Sequence, residues 1–298
     1  MKKIAAIVVT YNRRDLLIEC VDALRKYSPE TDIIVVNNAS TDGTEDALQE
    51  YIRKNQVIYF NTGANIGGAG GFNYGLKVAY QLGYKYFWLM DDDTIVQENS
   101  LKEIIDSARI LRNKWGFISG QAVWIDGAEC KMNRHKIKLK HNNISNEDNG
   151  LFAVKQATFV SFFTRRDVIE EVGFPIKEYF IWGDDTEYSL RISKLYPCYY
   201  ASKSMVVHKM KENKSTAKFY EIDDMDRIQR IAYSVRNDVC TYKRMGIGLL
   251  LKLLLYMAYN IMFVVIKVNR HKILKIKIVI KAIKEGLKFK PEIEKVSS

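Results

Sequence analysis

The stretch YKYFWLMDDDT, residues 84–94, decides how the rest of the chain is read. Tyr86 to Met90 are apolar or aromatic without the alternation of a half-exposed strand, and such continuous runs belong to strands buried on both faces, as in parallel sheets covered by helices. Open α/β sheets bind ligands in the crevice beyond the carboxyl ends of their strands. Asp91, Asp92 and Asp93 follow the run directly and so stand where that crevice is expected. Three adjacent carboxylates repel one another unless a cation compensates, and a hard divalent ion with oxygen ligands is the natural partner. Side chains alternate along an extended chain, so Asp91 and Asp93 share a face for such an ion while Asp92 turns elsewhere. A solvated acidic turn is the competing reading.

Outward from this strand, short apolar runs alternate with amphipathic stretches, which predicts βαβ units: an α/β fold with a mainly parallel sheet flanked by helices. Strands are expected at residues 4–10, 32–37, 56–60 and 85–90, and helices at 15–27, 44–54 and 72–82; the first two helices open with acidic residues, which suit a helix N-terminus. A helix over 98–112 and a strand over 117–124 follow. Residues 130–150 are polar and turn-rich and read as an exposed excursion. Beyond them the pattern predicts a strand near 157–164, helices at 165–172 and 185–195, a strand at 199–208, and helix from about residue 223 onward.

A chain of 298 residues, 47% hydrophobic and 27% charged with four prolines, can bury one large core or two small ones; disorder, collagen and a small disulfide scaffold are excluded. Cys20, Cys130, Cys198 and Cys240 form no CxxC pair, which removes zinc knuckles and dithiol redox chemistry and suits reduced thiols in the cytosol. The net charge of +11 is lopsided, because residues 243–298 hold 13 Lys and Arg against three Glu. A boundary at 242 therefore separates a nearly neutral body, residues 1–242, from a basic tail. The opening MKKIAAIVVTYNRR has a short apolar stretch and no small-residue cleavage site, so it reads as a buried first strand and not as an export signal.

Three further groups bear chemistry. In IWGDDTEYSLRI (181–192), Asp184 and Asp185 open a predicted helix, as caps that complement its dipole or as working carboxylates. His208 closes the strand YYASKSMVVH, as a structural residue or a ligand. ANIGGAGGFNYG (64–75) places Gly67, Gly68, Gly70 and Gly71 at the approach to a helix, where backbone comes close to a ligand and free N–H groups face phosphate. It is no P-loop, since no Lys-Ser/Thr follows, and Asn73 stands where GxGxxG needs its third glycine.

In this order, VVTYNR (8–13), VVNNASTDGT (35–44), NIGGAGGF (65–72), WLMDDDT (88–94), IWGDDTEYSLR (181–191) and VVH (206–208) resemble the inverting family 2 glycosyltransferases, over about residues 4–240. The resemblance implies a Rossmann-like GT-A fold and a nucleotide-sugar donor. Thr10 and Tyr11 match the start of the donor's nucleotide pocket, and Asp42 the acid that closes it. Asn37 stands where many relatives carry Asp, with its amide left to hydrogen-bond uracil or ribose. Asp91 and Asp93 match the residues that hold Mg²⁺ or Mn²⁺ against the donor diphosphate, with Asp92 counted among the donor-binding residues, and His208 matches a histidine that completes the metal site. Asp185 matches the catalytic base and Asp184 the acid beside it. The element NIGGAGGF, with Asn65 and its four glycines, looks like that of galactofuranosyltransferases of bacterial polysaccharide synthesis, which implies UDP-galactofuranose; dTDP-rhamnose is the alternative donor. The chemistry agrees: leaving a nucleoside diphosphate behind needs a cation on the leaving oxygens and a base on the opposite face of the anomeric carbon.

The tail carries IGLLLKLLLYMAYNIMFVVI (247–266), long enough to cross a bilayer but interrupted by Lys252 and Asn260, so that spanning and lying on the surface are both allowed. KVNRHKILKIKIVIKAIKEGLKFK (267–290) mixes Lys with Ile and Val like a basic amphipathic helix made for an anionic membrane surface. A helical hairpin packed on the body, or a homo-oligomer contact, is the other reading. Attachment at the cytoplasmic face of the bacterial membrane, where a polyprenyl-linked glycan acceptor would be met, is expected. Nucleic acid is disfavoured because Phe289 alone supplies a stacking ring after Phe263, and a non-catalytic sugar-binding protein by the complete acidic and histidine set.

Overall fold

Ile4–Thr10 (β1) is the axis of the sheet, because every residue along it is buried. The computed structural model describes residues 3–112, 114–135, 147–213, 219–267 and 270–296. β1 pairs in parallel with Thr31–Asn37 (β2) on one side and Tyr86–Asp91 (β4) on the other, and β2 with Ile58–Asn61 (β3). Arg14–Tyr27 (α1), Thr44–Arg53 (α2) and Gly67–Gln81 (α3) are the crossovers, so the alternation read from the sequence is the alternation found. α3 begins five residues earlier than expected and takes the glycines into its first turns. It lies flush on the sheet: a Cβ at Gly75 would come within 2.7 Å of Ile7 and 2.9 Å of Val36.

Beyond β4 come Thr94–Val96 (β5), Ser100–Ile110 (α4), Phe117–Val123 (β6), Leu151–Val154 (β7), Phe162–Arg165 (β8), Arg166–Val172 (α5), Asp184–Ser193 (α6) and Cys198–His208 (β9). The strands run in space β3-β2-β1-β4-β8-β6-β9-β5, with β7 beside β9. The α/β architecture holds, but its parallel character is confined to the first four strands and the β6–β9 pair; β8 is antiparallel to β4 and β6, and β5 and β7 are antiparallel to β9. The reason is that β8 slots between β4 and β6 from a later part of the chain. The strand expected near 157–164 is accordingly shorter, and β7 was not anticipated at all. Of the expected excursion, residues 136–146 lie outside the described residues, while Cys130 and Asn133 are buried and not exposed.

Apolar side chains cover both faces of the sheet, Leu17, Leu24, Trp88 and Leu101 on one and Phe72, Leu76, Phe87 and Tyr188 on the other. Truncating one of the large rings, such as Trp88→Ala, costs about 3–5 kcal/mol. Three helices form a separate apolar cluster: Met225–Met245 (α7), Ile247–Lys267 (α8) and Lys272–Lys288 (α9), packed through Ile228, Val235, Val239, Leu250, Met257 and Val279. Asp224 caps α7 by accepting from Arg227 N at 2.9 Å. Residue 242 falls inside α7, and α9 lies tight on the same helix, since a Cβ at Gly286 would meet Arg236 O at 2.7 Å.

The chain does not stay helical to its end. Residues 289–296 run extended back to the body, where Phe174 N donates to Glu294 O at 2.9 Å. The Glu294 carboxylate accepts from Asn73 Nδ2 at 2.9 Å and pairs with Lys177 at 2.8 Å and with Lys77. The end of the tail is thus a strap across α3, while the outer side of α8 stays bare.

Candidate active site

The carboxyl end of β4 delivers Asp91, and the chain then turns back at once into β5, whose Thr94 pairs with His208 of β9. That register, fastened by Lys209 N donating to Asp93 O at 2.9 Å, brings His208 to the aspartates. Asp91, Asp93 and His208 each offer a ligand atom, and the three atoms lie within 4.8 Å of one another, near the spacing that one divalent ion bridges. His208 Nε2 stands 3.1 Å from Asp93 Oδ1.

Asn133, from the stretch expected to be exposed, sets the ring. Its Nδ2 donates to Thr158 Oγ1 at 2.8 Å, which turns its Oδ1 to His208 Nδ1 at 2.9 Å. Assigned from this network, Nδ1 carries the hydrogen and donates, so Nε2 is the atom presented to the aspartates, the arrangement of a ligating histidine held by an outer partner. These residues fit a divalent ion.

Arg13 was not singled out in the sequence, yet its NH1 lies 2.6 Å from Asp93 Oδ2 and 3.2 Å from Asp92 Oδ1. Thr10 donates to Asp92 Oδ2 at 2.7 Å. Thr10 and Asp92 therefore serve each other inside the strand ends. Burial pushes Asp91 well above the carboxylate range, helped by Asp93 and Asp92. Burial also lifts Asp92, to about 6, against the pull of Arg13. For Asp93 burial acts upward too, but His208 and Arg13 override it and hold the carboxyl low.

The opposite wall is the loop before α6. Phe180 and Trp182 adopt positive φ, 63° and 64°, which non-glycine residues accept only when surroundings impose it. Asn237 of α7 imposes it, its Nδ2 directed at the carbonyls of Tyr179, Ile181 and Trp182 at 2.9, 3.2 and 2.7 Å, while Arg236 NH2 holds the carbonyls of Glu178 and Tyr179. The loop ends at Gly183 and starts α6 with Asp184 and Asp185. Burial, then Asp185, drives Asp184 up to about 8; burial raises Asp185 to about 6, against hydrogen bonds from Thr186. Asp184 adds a smaller push to Asp91, after burial and its two aspartate neighbours, so the two acidic groups lie near each other. Clustered perturbed carboxylates of this kind mark working sites.

The glycine segment divides unevenly. A Cβ at Gly67 would meet Phe180 O at 2.1 Å, one at Gly70 the Ile66 side chain at 2.9 Å, and one at Gly71 Val9 at 2.5 Å; only at Gly68, among the four, is there open space. Three of the glycines expected to approach the donor instead let α3 seat against the base loop, its own first turn and β1. Gly68 alone faces out. Asn65 Oδ1 accepts from Gly67 N at 2.9 Å and organises the turn.

Asn37 was expected to leave its amide to uracil or ribose. It is fully buried, donates to Tyr59 Oη and accepts from Ser40 N, both at 2.9 Å, so it braces the pocket floor from behind. Asp42 accepts from Arg14 N at 2.9 Å and Thr44 N at 3.2 Å and tethers the start of α2 to α1; burial opposes its ionisation, but those bonds and the Thr44 hydroxyl keep its carboxyl low. Tyr11 stands 45% exposed at the rim.

The model of the family described as glycosyl transferase family 2 matches residues 5–173, more than half of the chain. A galactofuranosyltransferase, GlfT1 of Mycolicibacterium smegmatis, is 26% identical over 202 residues, 63% of this chain and 65% of that protein, so the chain spans less than two thirds of this relative's length. The mannosyltransferase PcManGT of Pyrobaculum calidifontis, solved with GDP-Man and Mn²⁺, superposes with a TM-score of 0.57 at 15% identity over 97% of this chain and 76% of its own. S. aureus TarS 1–349 with UDP gives 0.52 at 15% identity over 97% and 72%. With its acidic strand ends and glycine-led α3 on the same architecture as these solved structures, the chain belongs to glycosyl transferase family 2, with a GT-A fold, and is similar to galactofuranosyltransferases.

Proposed function

We propose that the chain performs metal-dependent, inverting transfer of galactofuranose from UDP-galactofuranose to a lipid-linked glycan in bacterial cell-surface polysaccharide synthesis. The observation that carries this is the cluster of Asp91, Asp93 and His208, with the acidic pair Asp184 and Asp185 near enough to act on Asp91. Asp91, Asp93 and His208 would hold Mg²⁺ or Mn²⁺, which when bound offsets the charge gathering on the leaving diphosphate. Asp185 takes the proton of the acceptor hydroxyl as that oxygen bonds to C1 of the sugar. The bond from C1 to the diphosphate breaks on the far side, UDP leaves, and the configuration inverts. Asp184, more basic, orients its neighbour.

Galactofuranose as the sugar is supported by the likeness to the M. smegmatis galactofuranosyltransferase and by the element NIGGAGGF. dTDP-rhamnose is the second reading because the Asn37 amide is engaged inside the protein, by Tyr59 and Ser40. Attachment to an anionic membrane at the cytoplasmic face is supported by α8, which bares Ile247, Leu251, Leu255, Tyr259 and Ile266, and by the exposed Lys277, Lys281, Lys284 and Lys288 of α9. Apolar surface of this extent rimmed by cations suits the headgroup boundary. α8 also packs on α7, whose charged surface belongs to the body, which favours lying in the interface over spanning.

The test is release of nucleoside diphosphate from a panel of nucleotide sugars with Mn²⁺ and octyl glycoside acceptors. Transfer from UDP-galactofuranose is expected; transfer from dTDP-rhamnose alone would select the second donor, and no transfer from any donor would overturn the proposal.

A further inference from the structure

A third carboxylate stands on the base wall, and it comes from the helical region and not from any motif. Asp238 follows Asn237 on α7. Because Asn237 pulls three loop carbonyls onto that helix, α7 lies directly behind Gly183: a Cβ there would be 3.4 Å from Asn237 Cβ and 3.8 Å from Asp238 Oδ1. Asp238 is half-buried, and burial with Asp185 nearby raises its carboxyl to about 7. Among the described residues no cation or hydrogen-bond donor engages its side chain. One turn on, Tyr242 shares this face; burial and then Asp238 raise its hydroxyl's pKa, against the Gln156 side chain.

Partly buried carboxylates are ordinarily paired, and one set beside another without a donor is costly. A ligand that brings hydroxyl donors removes that cost. On the transferase reading given above, the ligand that enters beside Asp185 is the acceptor sugar. We propose that Asp238 is an acceptor-positioning residue: it accepts a hydrogen bond from a hydroxyl of the acceptor sugar next to the reacting one, and so aims the reacting hydroxyl at Asp185. Tyr242 and Gln156 supply polar groups on the same side. The donor and its cation, held from Asp91, Asp93 and Gly68, are not touched by it. α7 then links the two ends of the chemistry, with Asn237 shaping the loop that carries the base and Asp238 reading the substrate.

The test compares wild type with Asp238→Asn and Asp238→Ala, using UDP-galactofuranose or whichever donor the wild type accepts and its best octyl glycoside. Both variants are expected to raise the acceptor KM by about tenfold or more, while the donor KM, UDP binding and the slow hydrolysis of donor without acceptor stay as in wild type. The penalty should shrink on an acceptor deoxygenated at the hydroxyl that Asp238 holds, which a merely structural role would not produce. An unchanged acceptor KM in both variants, or parallel loss of donor binding and hydrolysis, overturns the proposal. A wild type with no transfer from any donor overturns instead the transferase reading on which it rests, so the two failures are told apart.

Discussion

Asp93 sits between Arg13 and His208, whereas Asp184, Asp185 and Asp238 stand together with no cation against them among the described residues. Both groups are built from wholly or partly buried aspartates at strand and helix ends, and burial raises Asp91, Asp92, Asp184, Asp185 and Asp238 alike, whereas Asp93 is held low. At Asp93 burial is outweighed by His208 and the Arg13 guanidinium, and the carboxylate stays ionised. Where the protein supplies only burial and like charge, carboxyls rise to between about 6 and 8 and can exchange protons near neutrality. Division of labour between identical residues is thus a matter of who stands next to them.

The largest test of that contrast is Asp185→Asn. Turnover should fall by about 10²–10⁴-fold while UDP and cation binding persist, measured by kinetics and calorimetry. Its pH dependence follows from the raised carboxyl: the proposed base must be ionised, so activity should fall as pH drops below about 6, with Asp184 and Asp238 beside it. Stability runs the other way. A carboxyl raised in the folded state favours folding fully below its ordinary range and loses that contribution as pH rises through about 6, so Asp185→Asn should melt higher than wild type at pH 8. A variant that melts lower there, or that retains turnover, would remove the base wall from the comparison.

Asp93→Ala attacks the other wall. It removes a ligand and strands Arg13 and His208, so binding of Mn²⁺ with UDP should disappear in a calorimeter and melting should fall, the reverse of the effect at Asp185. A finer cut is Asn133→Ala, which leaves every ligand present but frees the His208 ring; cation affinity should drop about 10–100-fold. Equal affinity in that variant would mean that His208 needs no orientation or does not ligate.

The smallest effect concerns the strap. Burial opposes ionisation of Glu294, but Lys177, Lys77 and Asn73 prevail and hold its carboxyl at about 2. A depressed carboxyl lends stability above its ordinary range that is lost as pH falls toward about 2. Because the group is partly solvent-screened, Glu294→Gln should cost only about 1 kcal/mol, or about 2–4 °C in melting temperature at neutral pH. Removing the tail altogether is a different matter, since it strips α9 from α7 and with it the support of Asn237 and Asp238. A simple detachable anchor, the arrangement suggested by the charge boundary at 242, would survive such a cut with activity intact; this fold should not.

The first four strands, their crossover helices, the aspartates after β4 and the acidic pair opening α6 were legible in the order of residues, because each is a local pattern: an apolar run, a 3.6-residue period, a charge placed at an element's end. So were the apolar and basic characters of α8 and α9. Periodicity tells which side of an element is covered, but not by what. That Gly68 faces out while Gly67, Gly70 and Gly71 touch protein, that Asn37 turns inward, that Asn133 aims His208, that Arg13 balances Asp93, that Asp238 of α7 lies beside Gly183, and that Glu294 of the tail returns to α3 were decided by tertiary structure. Each depends on a contact between segments far apart in the chain, whose geometry exists only once the sheet has closed and the helices have packed on it.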